Sequence, residues 1–382
     1  MSWIALKMLT GDTFKYLFMV FAIAFATLLM AQQASIFWGL MRNTTSQIRD
    51  VEEADIWVMD PNVRYVDDVK PLSENDMYRV RGVPGVKWAV RFYKGQARAR
   101  FADGNFQQFL LLGLDDATLV GAPRPENMII GELGDLRIPD ACVMDEAGYR
   151  YLWPDEPYEI GKVLEMNDHR AVIVGICKAS PTFMTFPIVY TTYSQATRYV
   201  PNERKVLSFI LAQGEDGIPQ EEVCRRIQEQ TGLAALTREQ FMEKTIEYYL
   251  VRTGIAINFG ITVALGFVVG AAVAALVFFL FTLENLRQFG TLKAMGVTNL
   301  RIVGMILLQG GIAGLMGYGL GVGGAVGVGV LMGAIVKTVP PAFNMHPFIL
   351  LGSGVAVMLI VLLSSLFSIR RVMVLEPAIV FR

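Results

Sequence analysis

Apolar residues in this chain gather into four runs, unevenly placed. One run of membrane length covers residues 17–40, a long stretch of ordinary globular sequence follows, and three more runs lie at about 254–283, 302–336 and 348–369. Each holds the ~20 apolar residues that an α-helix needs to cross a ~30 Å hydrocarbon core. The pattern predicts an α-helical membrane protein with four transmembrane helices in a one-plus-three order. A large mixed α/β extracytoplasmic domain is inserted between the first and second. The expected boundaries are 17–40, 251–283, 299–336 and 348–369 for the spans and 41–250 for the inserted domain. A connector at 284–298, a short outer loop at 337–347 and a tail at 370–382 complete the plan. Residues 1–16 mix Trp3, Ile4, Met8 and Leu9 with Lys7, Asp12 and Lys15, the composition of a short helix lying in a membrane interface. The first run is too long for the apolar core of a signal peptide, and Gln32, Gln33, Phe37 and Trp38 make a poor cleavage site. It is read as a retained span.

The inserted domain changes period. Strand-like runs at 56–59, 86–93, 109–112, 171–176, 188–192 and 207–212 are rich in β-branched and aromatic residues and bounded by turn formers. Helices are expected at 73–81, 195–200 and 220–231, the first opened by a capping box of Ser73 and Asp76. The Gly- and Pro-dense stretch 121–139 reads as loop or subdomain junction, and the alternation as two small α/β lobes. From Thr237 to Leu283 only isolated glycines interrupt a helical pattern, with Thr237 and Gln240 placed to cap it. Such a helix would run ~70 Å. A second span extended as a stalk from about residue 237, or a break near Arg252–Gly254, both satisfy the pattern.

Charge sharpens the division. Residues 41–250 carry 24 Lys and Arg against 32 Asp and Glu, and the rest of the chain 10 against 3. The insert is therefore an acidic, solvated domain, and no basic patch interleaved with aromatics points to nucleic acid. Arg287, Lys293 and Arg301 flank the connector and Arg370, Arg371 and Arg382 the end, whereas the last outer loop holds only Lys337. Positive residues in short loops mark the cytoplasmic side. Connector and both termini are then expected in the cytoplasm and the large domain outside.

Candidates for catalysis are few. His169, in Asn-Asp-His-Arg, reads as a hairpin turn, and His346 precedes Pro347 at a membrane edge. No metal-ligand or nucleophile motif is present, so neither a catalytic nor a metal-binding set is assigned. Cys142, Cys177 and Cys224 match no metal or redox spacing. They read as buried thiols, with a Cys142–Cys177 disulfide left open. There is no GxxxxGK[ST] loop for phosphates, so any ATP is bound by another chain. The four apolar runs hold almost no ionisable residue. Gln32, Gln33, Asn258 and Gln309 are their notable polar groups, which argues against a proton path.

Two local patterns remain. The third run repeats glycine at four-residue spacing: Gly310/Gly314, Gly317/Gly321, Gly319/Gly323 and Gly323/Gly327. Such pairs let helices approach closely in lipid, within one protomer or across a homodimer seam. The connector sets apolar Phe289, Leu292 and Met295 against polar Glu284, Arg287, Gln288 and Lys293, and Gly296 with Thr298 and Asn299 can end one helix and begin the next. A helix docked on a cytoplasmic partner and a solvated linker both fit these residues.

The connector Arg287-Gln288-Phe289-Gly290-Thr291-Leu292-Lys293-Ala294-Met295-Gly296 resembles the R-E-I-G-x-L-[RK]-A-[ILM]-G signature of MacB/FtsX-type (type VII) ABC transporter permeases, with Gln288 and Phe289 as departures. Its wording from Leu292 to Gly296 is similar to DevC-like exporter permeases. Glu376-Pro377-Ala378-Ile379-Val380-Phe381-Arg382 resembles the family's C-terminal pattern. Gly161-Lys162-Val163 followed by Val172-Ile173-Val174-Gly175-Ile176 resembles a stretch of its exterior domain.

The resemblance implies a permease subunit in the inner membrane that works as a homodimer with a separate ABC ATPase. That ATPase would hold ATP and Mg2+, with no cofactor in this chain. The connector would be the coupling helix, its candidate contacts being Glu284, Arg287, Gln288, Phe289, Leu292, Lys293, Met295 and Gly296. Gly310, Gly314, Gly317 and Gly321 are the candidate helix-packing or dimer positions. A periplasmic membrane-fusion adaptor and an outer-membrane channel would complete an exporter of a hydrophobic or amphipathic compound. An FtsX-like regulator of cell-wall hydrolases, a lipoprotein-release permease, and a membrane-tethered sensor or enzyme with an exterior active site are the alternatives.

Overall fold

The computed structural model describes residues 2–101, 104–184, 186–202, 205–335 and 342–373. Lys337 and the segment Glu376 to Arg382 lie outside them. The described residues divide into two compact units: Leu40–Gly254 with Ile335, and the rest. In chain order the first elements are α1 (Ser2–Gly11), α2 (Thr13–Thr44), α3 (Ser46–Asp50), β1 (Ile56–Met59), α4 (Glu74–Arg81), β2 (Val86–Arg100) and β3 (Phe106–Leu114). Next come β4 (Met128–Ile130), β5 (Ala141–Asp145), α5 (Glu146–Leu152), β6 (Val163–Met166), β7 (His169–Cys177), β8 (Ile188–Thr192) and α6 (Tyr193–Ala196). Then follow β9 (Phe209–Gly214), α7 (Gln220–Thr231), β10 (Ala234–Thr237) and α8 (Arg238–Arg252). Four helices finish the described chain: α9 (Ile255–Glu284), α10 (Leu286–Ala294), α11 (Asn299–Ile335) and α12 (Pro347–Met373).

β1, β5 and β8 are buried at every position because both of their faces are covered, whereas β6 alternates exposed and buried residues. In β1, Ile56 and Val58 enter one core while Trp57 and Met59 enter the other. In β3, Phe109 and Leu111 face the first core, and Leu110, Leu112 and Leu114 the second. Consecutive buried positions are what a strand sandwiched between two cores requires. The strands follow the order β10-β1-β9-β2-β3-β8-β5-β7-β4 in one hydrogen-bonded sheet. β6 bonds to β7 on one side and to β2 on the other. β2, β3, β8, β5, β7 and β6 therefore close into a ring.

The closed half and the open half share β2, whose residues Val86–Phe92 pair with β9 and Tyr93–Arg100 with β3. The stretch 121–139 is no junction, since it contributes β4 to the edge of the same sheet. The β6–β7 hairpin turns through Asn167 and Asp168, both at positive φ (51° and 60°), the geometry of a two-residue primed turn. The three cysteines are free and buried, and burial raises the thiol pKa of Cys142 and Cys224 to about 12.

The expected capping boxes form at Ser73/Asp76 on α4 and at Thr237/Gln240 on α8. The uninterrupted stalk does not. α8 ends at Arg252, Gly254 takes φ +70°, and α9 begins at Ile255. The break near Arg252–Gly254 is therefore the correct alternative, because a left-handed residue cannot continue a right-handed helix.

In the other unit α2, α9, α11 and α12 are long and apolar enough to cross a membrane. α2 outruns its expected span at both ends, its 32 residues reaching about 48 Å. Their shared core includes Met19, Ile23, Ala26, Ala274, Phe278, Ile306, Ala313 and Ile360. α12 continues to Met373, so the tail expected from residue 370 begins inside a helix.

Candidate functional site

The connector folds as a short helix closed by a glycine. Val297 N–H donates to Leu292 O at 3.1 Å and Gly296 N–H to Lys293 O at 3.0 Å, the paired bonds of a Schellman motif. Gly296 sits at φ +88° to make them. Its role is to end α10 and leave Asn299 free to start α11.

The helix has two faces, and the structure reassigns them. Phe289 is fully buried and Leu292 is 7% exposed, both inside the core of the helical unit. These two candidates for partner docking instead anchor α10 to the protomer's own helices. Met295 is 68% exposed and stands with exposed Arg287, Gln288 and Thr291 on the open side. Leu300, 83% exposed at the start of α11, adds an apolar contact that the sequence reading missed. Its signal was a lone large apolar residue between Asn299 and Arg301.

Two of the charged candidates, Lys293 and Glu284, are engaged within the protomer. Lys293 Nζ donates to Val372 O at 2.9 Å and to Met373 O at 3.1 Å, placing a cation on the carbonyl end of α12 where the helix dipole favours it. Glu284 closes α9 and pairs with Lys15, which also binds Asp12 at 2.7 Å. These bonds hold Asp12 below the usual carboxylate range. Gln309 Nε2 donates to Ala5 O at 2.9 Å, so this buried amide ties α11 to α1. Ala5 and Leu9 are buried in the same core, and α1 is thus docked on the bundle by one face, with Trp3 exposed on another.

The glycines of α11 also separate by face. A methyl group at Gly314 would lie 2.6 Å from Val361 Cγ2, and one at Gly310 3.0 Å from Val361 Cγ1, both against α12. At Gly317 it would lie 2.7 Å from Ile23 Cβ, and at Gly321 2.5 Å from Ala24 O, both against α2. All four therefore face neighbours in the same protomer. Gly319, Gly323 and Gly327 have open space beside them.

The His346 ring lies 4.6 Å from that of Trp38, and its Nδ1 accepts from Phe348 N–H at 3.3 Å, which caps α12. Among the described residues no group of three or more His, Cys, Asp or Glu is placed to hold a metal ion.

Residues 16–230 match the family model of the MacB-like periplasmic core domain, and residues 260–377 that of the FtsX-like permease C-terminal region. Uncharacterized ABC transporter permeases of Mycobacterium bovis and Mycobacterium tuberculosis are 26% identical over 226 residues, covering 58% of this chain and 58% of theirs. The chain thus spans less than two thirds of the curated relatives it matches. Among solved structures, the periplasmic region of MacB from Actinobacillus actinomycetemcomitans is similar at 13% identity and a TM-score of 0.38 over 52% of this chain and 95% of that one. The extracellular domain of the noncanonic ABC-type transporter YknZ from Gram-positive bacteria is similar at 14% identity and a TM-score of 0.34 over 48% and 98%.

Proposed function

The chain belongs to the family of ABC transporter permeases with a MacB-like periplasmic core domain and an FtsX-like C-terminal region, and from that premise we propose that α10 is its coupling helix. A separate ABC ATPase, holding ATP and Mg2+, docks on Arg287, Gln288, Thr291, Met295 and Leu300. The observation that carries this reading is the division of α10 itself. Phe289 and Leu292 lock it into the helical core and Lys293 locks it to the end of α12, while the opposite side stays open. A helix held this way passes an applied push to the bundle rather than absorbing it.

The protein works as a homodimer in the inner membrane, with both termini cytoplasmic and the inserted domain periplasmic. The open Gly319/Gly323/Gly327 face of α11 supports a close helix–helix seam. With a periplasmic adaptor and an outer-membrane channel it exports a hydrophobic or amphipathic compound. The DevC-like wording of the connector supports that cargo class.

The test is ATP hydrolysis by the ATPase that copurifies with the permease, in nanodiscs. Met295→Glu with Arg287→Glu is expected to lower permease-stimulated hydrolysis at least tenfold with the permease still folded. Phe289→Glu is expected to lower the yield of folded permease instead. Full stimulation by the Met295/Arg287 double variant would sink the assignment.

A further inference from the structure

The helical unit carries a groove that neither the coupling helix nor the dimer seam uses. It lies between α11 and α12 and has a volume of about 580 Å³. Buried Gly314, Val357 and Val361 form its floor. Leu315, 73% exposed, and Leu351, 71% exposed, stand at its walls. Two glycines keep it open. A methyl group at Gly311 would meet nothing within 4 Å, and one at Gly354 would only touch the Tyr318 ring at 3.7 Å.

The lining offers no free hydrogen-bonding side chain. Of its residues only Tyr318 carries a side-chain oxygen, and that hydroxyl donates to Leu350 O at 2.9 Å. Both helices are long and apolar enough to cross a membrane, so hydrocarbon rather than water surrounds the groove. An unpaired polar group is costly in such surroundings. The part of a ligand that enters is therefore plain hydrocarbon.

Shape decides between a lipid chain and another helix. Along α12 the lining runs from Pro347 to Val361, about 21 Å of helix. The 580 Å³ spread over that length gives a mean cross-section of about 28 Å². An α-helix with its side chains is ~10–12 Å across and needs roughly three times as much. A methylene chain, about 4 Å across at carbon contact distance, fits. The length also exceeds the ~15 Å depth of one leaflet in a ~30 Å hydrocarbon core, so a whole chain is accommodated. Position agrees with shape. At 3.6 residues per turn, Gly311, Leu315 and Tyr318 share one side of α11, about 120° around from Gly319, Gly323 and Gly327. A second copy seated on those glycines leaves the groove clear.

We propose that this groove binds one acyl chain of a bilayer phospholipid, taken from the leaflet that α12 enters at Pro347. The chain lies over Gly311, Gly354 and Val357 with its methyl end toward Val361. It fills the space between two helices that touch at Gly314 against Val361 and at Tyr318 against Leu350. The phospholipid is a resident of the protomer and not its cargo. Neither the ATPase nor the dimer takes part, so the site stands or falls apart from the coupling-helix assignment.

The probe is phosphatidylethanolamine with a diazirine midway along a palmitoyl chain, built into nanodiscs with the full chain. Ultraviolet labelling is mapped by peptide mass spectrometry. The reference is Ile261, Leu265 and Val268 of α9, which are 54–59% exposed. Labelling of residues 311–318 and 350–358 is expected about fivefold above that reference, because a chain in a groove has carbon neighbours on several sides. Gly311→Phe and, from the other helix, Gly354→Phe are each expected to bring it down to the α9 level with the size-exclusion profile unchanged. Gly352→Phe, where a side chain finds open space outside the groove, is expected to leave it high. Groove labelling no higher than that of α9, or labelling that survives both filled variants, would overturn the proposal. So would a disulfide between two Gly311→Cys protomers, which would seat a second copy in the groove.

Discussion

At the scale of single residues, the inserted unit depends on a few buried charges. Lys94 on β2 is 3% exposed along its side chain, pairs with Asp67, and donates to Val66 O at 3.0 Å. Tyr249 of α8 donates to the other Asp67 oxygen at 3.3 Å. Burial pushes the Lys94 pKa down, with Asp67 opposing it. Removing one member of such a pair strands the other. Lys94→Met should therefore cost about 3 kcal/mol, while Lys94→Met with Asp67→Asn should recover most of it. Urea denaturation followed by near-ultraviolet dichroism, with the buried Trp57 as reporter, reads both. Asp145 gives a pH signature. It is 6% exposed, and burial raises its pKa to about 6, opposed by N–H donors from Ile188 at 2.7 Å and Gly148 at 3.1 Å. The folded state then holds the extra proton between the ordinary value of 3.8 and about 6. Stability should fall as pH rises through that window, by roughly 3 kcal/mol at 1.36 kcal/mol per pKa unit. Asp145→Asn should lose this slope between pH 4 and 6 in the same measurement, and an unchanged slope would disprove the assignment. Neither residue was legible in the sequence, where Lys94 and Asp145 look like any other charge in a strand-forming run. Only the closure of the strands around them takes the water away.

At the scale of elements, glycine spacing announced close packing in α11 but left open which glycines meet which helix. Gly310, Gly314, Gly317 and Gly321 meet α12 and α2, whereas Gly319, Gly323 and Gly327 meet nothing within 4 Å. The helical period of 3.6 residues divides one repeat between two faces. Gly321→Ala should destabilise the helical unit by about 2 kcal/mol, because the new methyl meets a backbone carbonyl that cannot step aside. Gly311→Ala, where a methyl also finds open space and which lies outside the proposed dimer seam, should leave it unchanged. Thermal melting of the protein in nanodiscs separates the two, and equal losses would remove the distinction between the faces. The connector carries the same lesson. Its amphipathic period was plain, but Phe289 and Leu292 face the protomer and only Met295 faces out. A period identifies an apolar stripe, and it does not say whether that stripe is covered by the same chain. At the α8–α9 boundary a single glycine at φ +70° decides for two helices over one. Isolated glycines elsewhere, such as Gly266 and Gly270 within α9, interrupt nothing.

At the scale of the whole molecule, the sequence by itself determined the plan. Four membrane-length apolar runs, an acidic α/β insert and the connector wording follow from composition, period and spacing along one dimension. Transfer free energy acts on local segments, so a span can be recognised without its neighbours. Strands at 56–59 and 188–192 were equally plain, because burial on both faces leaves an unbroken apolar run. The tertiary structure decided everything that depends on two distant segments meeting. It joined the expected lobes through β2, closed a ring through the short strand β6, turned Phe289 and Leu292 inward, and paired Lys15 with Glu284. Each of these is a contact between residues far apart in the chain, whose energy comes from excluded water and matched shape. Neither quantity exists until the chain is folded.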